Sequence, residues 1–139
     1  MTILDHLAAH ARNRVAADQA ENSLDVLQAQ CRARGRAHGA RFRGALEKPG
    51  LSFICEVKRA SPSKGVIAEN FPYLEIARDY ERAGADAISC LTEPKWFLGS
   101  DQIFREIRGA VDTPMLRKDF TVDAYQLYQA RLRGRTVCC

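Results

Sequence analysis

Three apolar runs recur at intervals of about thirty residues: "LSFICEVKR" (51–59), "DAISCLTE" (86–93) and "PMLRKDF" (114–120). Each is short, bounded by turn residues and followed by a helical pattern, and the interval is that of a βαβ unit. "YLEIARDYERAG" (73–84) is amphipathic, with Leu74, Ile76, Ala77 and Tyr80 on its apolar side and Gly84 in the terminating position. "SDQIFREIRGAV" (100–111) takes Ser100 as N-cap and buries Ile103, Phe104 and Ile107, and "VDAYQLYQARLRG" (122–134) ends on Gly134. Three such units in succession predict a parallel sheet with helices packed outside it.

The length limits what that sheet can be. Closing a parallel barrel takes eight strands and typically about 250 residues, whereas this chain has 139. An open doubly wound sheet would carry a glycine-rich phosphate loop after its first strand, and neither GxGxxG nor GxxxxGK is present. The expected fold class is therefore α/β, the N-terminal part of a (β/α)8 TIM barrel with about three βα units. Residues 1–50 read as a helical extension and residues 51–139 as the partial barrel. In the extension Thr2 caps a helix with Ile3, Leu4, Leu7, Ala8 and Val15 as its stripe, and Ser23 caps a second with Leu24, Leu27 and Cys31 on one face. A third short helix includes "FRGALE", and "KPG" (48–50) stops it.

Composition excludes several classes. With 46% hydrophobic and 27% charged residues the chain is neither disordered nor fibrous, and no run of about eighteen apolar residues offers a membrane span. "MTILDHLAAHARNR" lacks the unbroken apolar core of a signal peptide, so a cytoplasmic location is expected. Five cysteines form no CxxC pair, and Cys55 and Cys90 read as small hydrophobes in a reducing compartment. No metal site is expected: Cys138 and Cys139 are adjacent with no histidine nearby, and His6 and His10 share a helix face without a third ligand. The net charge of +4 lies at the two ends of the chain. The densest basic cluster (Arg32, Arg34, Arg36, Arg41, Arg43) has only Phe42 among it, and reads as a solvated linker rather than a nucleic-acid surface.

The chemistry is expected where parallel barrels keep it, at the C-terminal ends of the strands. The first strand delivers Glu56 and Lys58 on one face, and "RASPSKG" (59–65) follows with Ser61, Ser63 and Lys64, groups suited to holding an anion. The second ends in Thr92 and Glu93 before the aromatic loop "PKWFLGS". The third carries Arg117, Lys118 and Asp119 where a core strand would have valine or isoleucine. Two lysines at the ends of strands in one sheet lower each other's pKa, which suits proton transfer near neutrality. On this reading the three charges are there for chemistry rather than as an ion-pair cluster.

"EVKRASPSKG", "YERAGADAISCLTEPKWFLGS" and "PMLRKDF", in this order, closely resemble indole-3-glycerol phosphate synthase, the ribulose-phosphate-binding barrel of tryptophan biosynthesis, and "TILDHLAAHARNRVA" resembles its helical extension. The resemblance runs from about residue 2 to Gly134. It implies conversion of 1-(2-carboxyphenylamino)-1-deoxyribulose 5-phosphate to indole-3-glycerol phosphate with release of carbon dioxide and water, and no cofactor. It further implies that Lys118 is the general acid, and that Glu56 and Lys58 help bind substrate and take part in later proton transfers. Ser61 would belong to the substrate-anion loop, with Phe97 and Phe120 packing around the substrate. The implied partner is this phosphorylated small molecule, with neither nucleic acid nor membrane.

The resemblance also implies strands four to eight, with a second catalytic glutamate, an asparagine and phosphate-gripping loops. Those have no counterpart here, so the chain alone is expected to be inactive. Its last residues, "GRTVCC", are what a one-base deletion makes of a stretch encoding GADGLL, so a frameshift near codon 134 is expected. An open sheet edge predicts aggregation or self-association. The alternative is a non-enzymatic module, binding through its basic cluster or associating with itself as a half-barrel.

Overall fold

The computed structural model describes residues 1–35, 39–134 and 137–138. Three helices come first: α1 (Ile3–Glu21), α2 (Leu24–Ala33) and α3 (Gly39–Leu46). Thr2 and Asp5 close α1 with a reciprocal capping box, and the Ser23 hydroxyl accepts from the Val26 amide to start α2. The buried face of α1 is Leu7, Ala11 and Val15, one residue every four. Ile3 and Leu4, expected on that stripe, are exposed.

Beyond residue 50 strands and helices alternate: β1 (Ile54–Val57), α4 (Tyr73–Arg82), β4 (Ala87–Leu91), α5 (Asp101–Ala110), β5 (Met115–Lys118) and α6 (Ala124–Leu132). Between β1 and α4 lies a two-stranded antiparallel hairpin, β2 (Ala60–Ser61) with β3 (Gly65–Val66), which sequence patterning had read as plain loop. The main sheet runs β1-β4-β5-β6 with every pairing parallel, its fourth member being the short β6 (Val137–Cys138) beside Leu116 and Arg117. That strand falls in the "GRTVCC" stretch (134–139), of which residues 135, 136 and 139 lie outside the described residues. Gly84 and Gly134 both take positive φ just past a helix, where the missing Cβ removes the strain.

Register divides the sheet into two faces. Val57, Ile88, Cys90 and Met115 lie on the side packed under α4 and α5, where Ala77, Phe104 and Ile107 complete a core from which water is excluded. Full burial of a side chain such as Phe104 or Ile107 stabilises by roughly 1.5–3 kcal/mol. Cys90 belongs wholly to this core, and burial pushes its thiol up to about 12, in keeping with its reading as a small hydrophobe. A second cluster joins Val15 of α1 and Leu27 of α2 to Tyr125 of α6, so the leading helices share their apolar contacts with the last one. The Tyr125 hydroxyl donates to the carbonyls of Asp18 and Asn22, covering the last turn of α1. Among the described residues no helix is long and apolar enough to cross a membrane.

Candidate active site at the carboxyl ends of the strands

Opposite the helix-covered face, Glu56, Ser89 and Leu116 stand level across β1, β4 and β5. Two residues further along, Leu91 pairs with Lys118, and Lys58 directly follows the last pair of β1, Val57 with Cys90. Strands about 4.8 Å apart thus set the ends of β1 and β5 roughly 10 Å from each other across the sheet, with Glu56 and Lys118 on one face. Lys58 Nζ lies 2.8 Å from Glu56 Oε1. Lys118 is half-buried on that same face.

The loops after these strands close around the row. Ser61 is buried on β2, where its hydroxyl accepts from the Lys64 amide at 3.2 Å and lies 3.5 Å from the Ser63 hydroxyl. Gly65, at φ 63°, lets the hairpin turn back. Phe97, from the loop after β4, meets Phe120, just beyond β5, with ring centroids 6.2 Å apart and tilted 43°. All six expected site residues therefore belong to the ends of β1 and β5 and the loops after β1, β4 and β5.

Arg117 and Asp119 do something else. Both are buried, on the other face of β5. Arg117 pairs with Asp101 of α5 at 3.2 Å and with Asp119 at 3.0 Å, and Asp101 also pairs with Arg133 at 2.9 Å. Asp119 accepts from Arg14 of α1 at 2.6 and 3.2 Å, from the Thr92 hydroxyl at 2.8 Å and from the Phe120 amide at 2.8 Å. Of the three charges in "RKDF", two form a buried ion network that ties the leading helix to the strand ends, which corrects the expectation that all three serve chemistry.

Burial by itself would raise the Asp119 carboxyl, yet the Arg14 hydrogen bonds and the charges of Arg117 and Arg14 hold it below the usual carboxylate range. Burial likewise works against the Arg14 guanidinium, and Asp119 more than compensates, so Arg14 is raised. A carboxyl depressed in the folded state contributes stability that is present above its unfolded value, about 3.9, and is lost as pH falls through the folded value. Urea midpoints of the wild-type chain are therefore expected to fall on acidification below about pH 4, more steeply than those of Asp119→Asn, which has no carboxyl to protonate there. Parallel slopes would show that Asp119 is not a source of the acid sensitivity.

Sequence reasoning passed over the role of Glu93. Its carboxylate, 1% exposed, accepts from the amides of Lys95 at 3.0 Å, Trp96 at 2.7 Å and Phe97 at 3.1 Å. Its carbonyl accepts from Gly99 at 2.9 Å. A side-chain Cβ at Gly99 would overlap the Leu91 carbonyl, so the loop can return over β4 only with glycine there. The available signal was a carboxylate immediately before proline and a run of free amides, the logic of a helix cap applied to a loop. Members of the basic cluster have separate partners: Arg34 donates to the Leu132 carbonyl, Arg41 to the Asp112 carbonyl, and Arg43 pairs with Glu47. Arg36 lies outside the described residues.

Residues 4–139 match the family model for indole-3-glycerol phosphate synthase. The chain belongs to the indole-3-glycerol phosphate synthase family. Among its relatives, the indole-3-glycerol phosphate synthase of Ruminiclostridium cellulolyticum is 49% identical over 132 residues, 95% of this chain and 51% of that protein. The one from Endomicrobium trichonymphae is 46% identical over the same shares. That of Lacticaseibacillus paracasei is 47% identical over 135 residues, 97% of this chain and 52% of that protein. The chain thus spans about half the length of the curated relatives it matches. The family is one of TIM-barrel lyases of tryptophan biosynthesis, and the α/β architecture with an all-parallel main sheet fits that assignment.

Proposed function

We propose that this chain forms the first part of an indole-3-glycerol phosphate synthase barrel, a helical extension over residues 1–50 and three βα units over 51–139, and carries that enzyme's acid–base group. The substrate is 1-(2-carboxyphenylamino)-1-deoxyribulose 5-phosphate. Lys118 donates a proton to the ribulose carbonyl oxygen as the aromatic ring forms the new carbon–carbon bond. Carbon dioxide then leaves the ring carbon, and the hydroxyl made in the first step departs as water. The Glu56–Lys58 pair helps hold the polyanion and moves protons in the later steps, Ser61 belongs to the anion-binding loop, and Phe97 with Phe120 flanks the aromatic ring. Lysines at a strand-end mouth both attract such a substrate and stabilise charge developing on the carbonyl oxygen.

The observation that carries this reading is that Lys118 ends β5 on the face that Glu56 takes on β1, with Glu56 2.8 Å from the Lys58 ammonium. These 139 residues alone are proposed to lack turnover, because the family's second glutamate and phosphate loops have no counterpart in them. Adding the C-terminal half of the Ruminiclostridium relative is expected to yield indole-3-glycerol phosphate, followed by its indole fluorescence. Turnover by the chain alone would overturn the inactivity, and none from an assembled mixture would overturn the assignment. A second reading, self-association through the open sheet, is favoured by the exposure of Phe53 and Ile54 at the β1 edge. Sedimentation equilibrium is then expected to give a dimer, and a monomer at every concentration would dismiss it.

A further inference from the structure

We propose that Glu93 is a positioning residue whose buried carboxylate sets the loop 94–99 and thereby holds Phe97 against Phe120. The inference rests on the proposed function, since it assigns a reason for holding that aromatic pair at the strand ends.

Three consecutive amides, those of Lys95, Trp96 and Phe97, converge on one carboxylate at 2.7–3.1 Å, while the Gly99 amide returns to the carbonyl of the same residue at 2.9 Å. The loop is thus pinned to Glu93 near its start and at its end. Between those points Leu98 takes φ 51°, an unfavourable conformation for a residue with a Cβ, and such strain persists only where surrounding contacts over-determine it. A buried carboxylate without partners is costly, so the arrangement holds only while the amides remain in place. The cationic and aromatic neighbours come from both sides. His10 of α1 brings Nδ1 to 3.4 Å from Glu93 Oε1 and meets the Trp96 ring edge-on at 5.4 Å, and the Lys95 ammonium sits 4.5 Å over that ring. From this loop Phe97 reaches the site, 6.2 Å from Phe120. Glu93 itself, at 1% exposure, is walled off from any substrate and acts through the loop.

Trp96 is the chain's single tryptophan, so its emission reports on this loop and on nothing else. In the 139-residue chain, Glu93→Ala is expected to lower Trp96 anisotropy and raise its quenching by acrylamide. In the chain joined with the C-terminal half of the Ruminiclostridium relative, binding of 1-(2-carboxyphenylamino)-1-deoxyribulose 5-phosphate, followed by titration calorimetry, is expected to weaken by about ten- to a hundredfold, the worth of charge-assisted hydrogen bonds. Glu93→Gln keeps one acceptor oxygen and should recover part of both signals. Thr113→Val removes a buried hydrogen bond to Glu81 at the opposite end of β5. It should cost comparable stability while leaving Trp96 and substrate affinity unchanged. Wild-type anisotropy and affinity in Glu93→Ala would overturn the inference, as would an equal loss in Thr113→Val. If the wild-type joined protein shows no saturable response to the substrate, the proposed function fails instead, and the anisotropy of Glu93→Ala still decides whether Glu93 sets the loop.

Discussion

Asp119→Ala is expected to destabilise the chain by about 3–5 kcal/mol, because it removes the partner of two buried or half-buried cations at once. Arg117 is 2% exposed and would lose its pairing with Asp119, while Asp101 is shared with Arg133. Arg14 would lose both of its hydrogen bonds to β5 and, with them, the polar tether between α1 and the strand ends. The Thr92 hydroxyl, also buried, would lose its acceptor. Magnitude decides the interpretation here. A surface pair is worth about 1 kcal/mol or less, so a loss in that range, measured by urea unfolding, would show that the network is solvated and that Arg14 does not tether the leading helix. Asp119→Asn should fall between the two, since its amide can still accept from Arg14 without matching the charge.

How far the sequence could be read follows from the range of the interactions involved. Strands and helices beyond residue 50 were legible because their signals are local: period, caps such as Ser100, and glycines after Arg82 and Arg133. The shared face of Glu56 and Lys118 was legible for a related reason, since alternation along a strand and its parallel register fix the face each residue takes. The meaning of Asp119 was not. Its decisive partner, Arg14, is 105 residues away on a helix whose docking no local pattern encodes. A charge beside Lys118 was therefore assigned to the chemistry when it belongs to the scaffold. The β2–β3 hairpin escaped notice because two-residue strands carry no period, and Ser61, expected as an open loop group, is buried within it. Glu93 was noted as a strand-end residue, but its amide partners depend on the path of the loop, which the proline and glycine permit without specifying.

Lys118 is expected to behave in the opposite way to Asp119. The side chain is half-exposed and on the open face, so Lys118→Ala should change stability by about 1 kcal/mol or less. Its effect belongs to the reaction. A positioned general acid contributes about 10²–10⁴ in rate, and Lys58, the lysine that follows β1, already pairs with Glu56. The two neighbouring residues of "RKDF" therefore give a crossed pattern, with Asp119 costing fold and Lys118 costing chemistry.

The most direct measurement is the rate of indole-3-glycerol phosphate formation by this chain joined with the C-terminal half of the Ruminiclostridium relative, compared between wild type and Lys118→Ala at matched folded fraction. The account expects turnover in the first and a fall of about 10²–10⁴ in the second, with unfolding midpoints nearly unchanged. Equal rates in the two would contradict it, because the proton would then have to come from somewhere other than the end of β5.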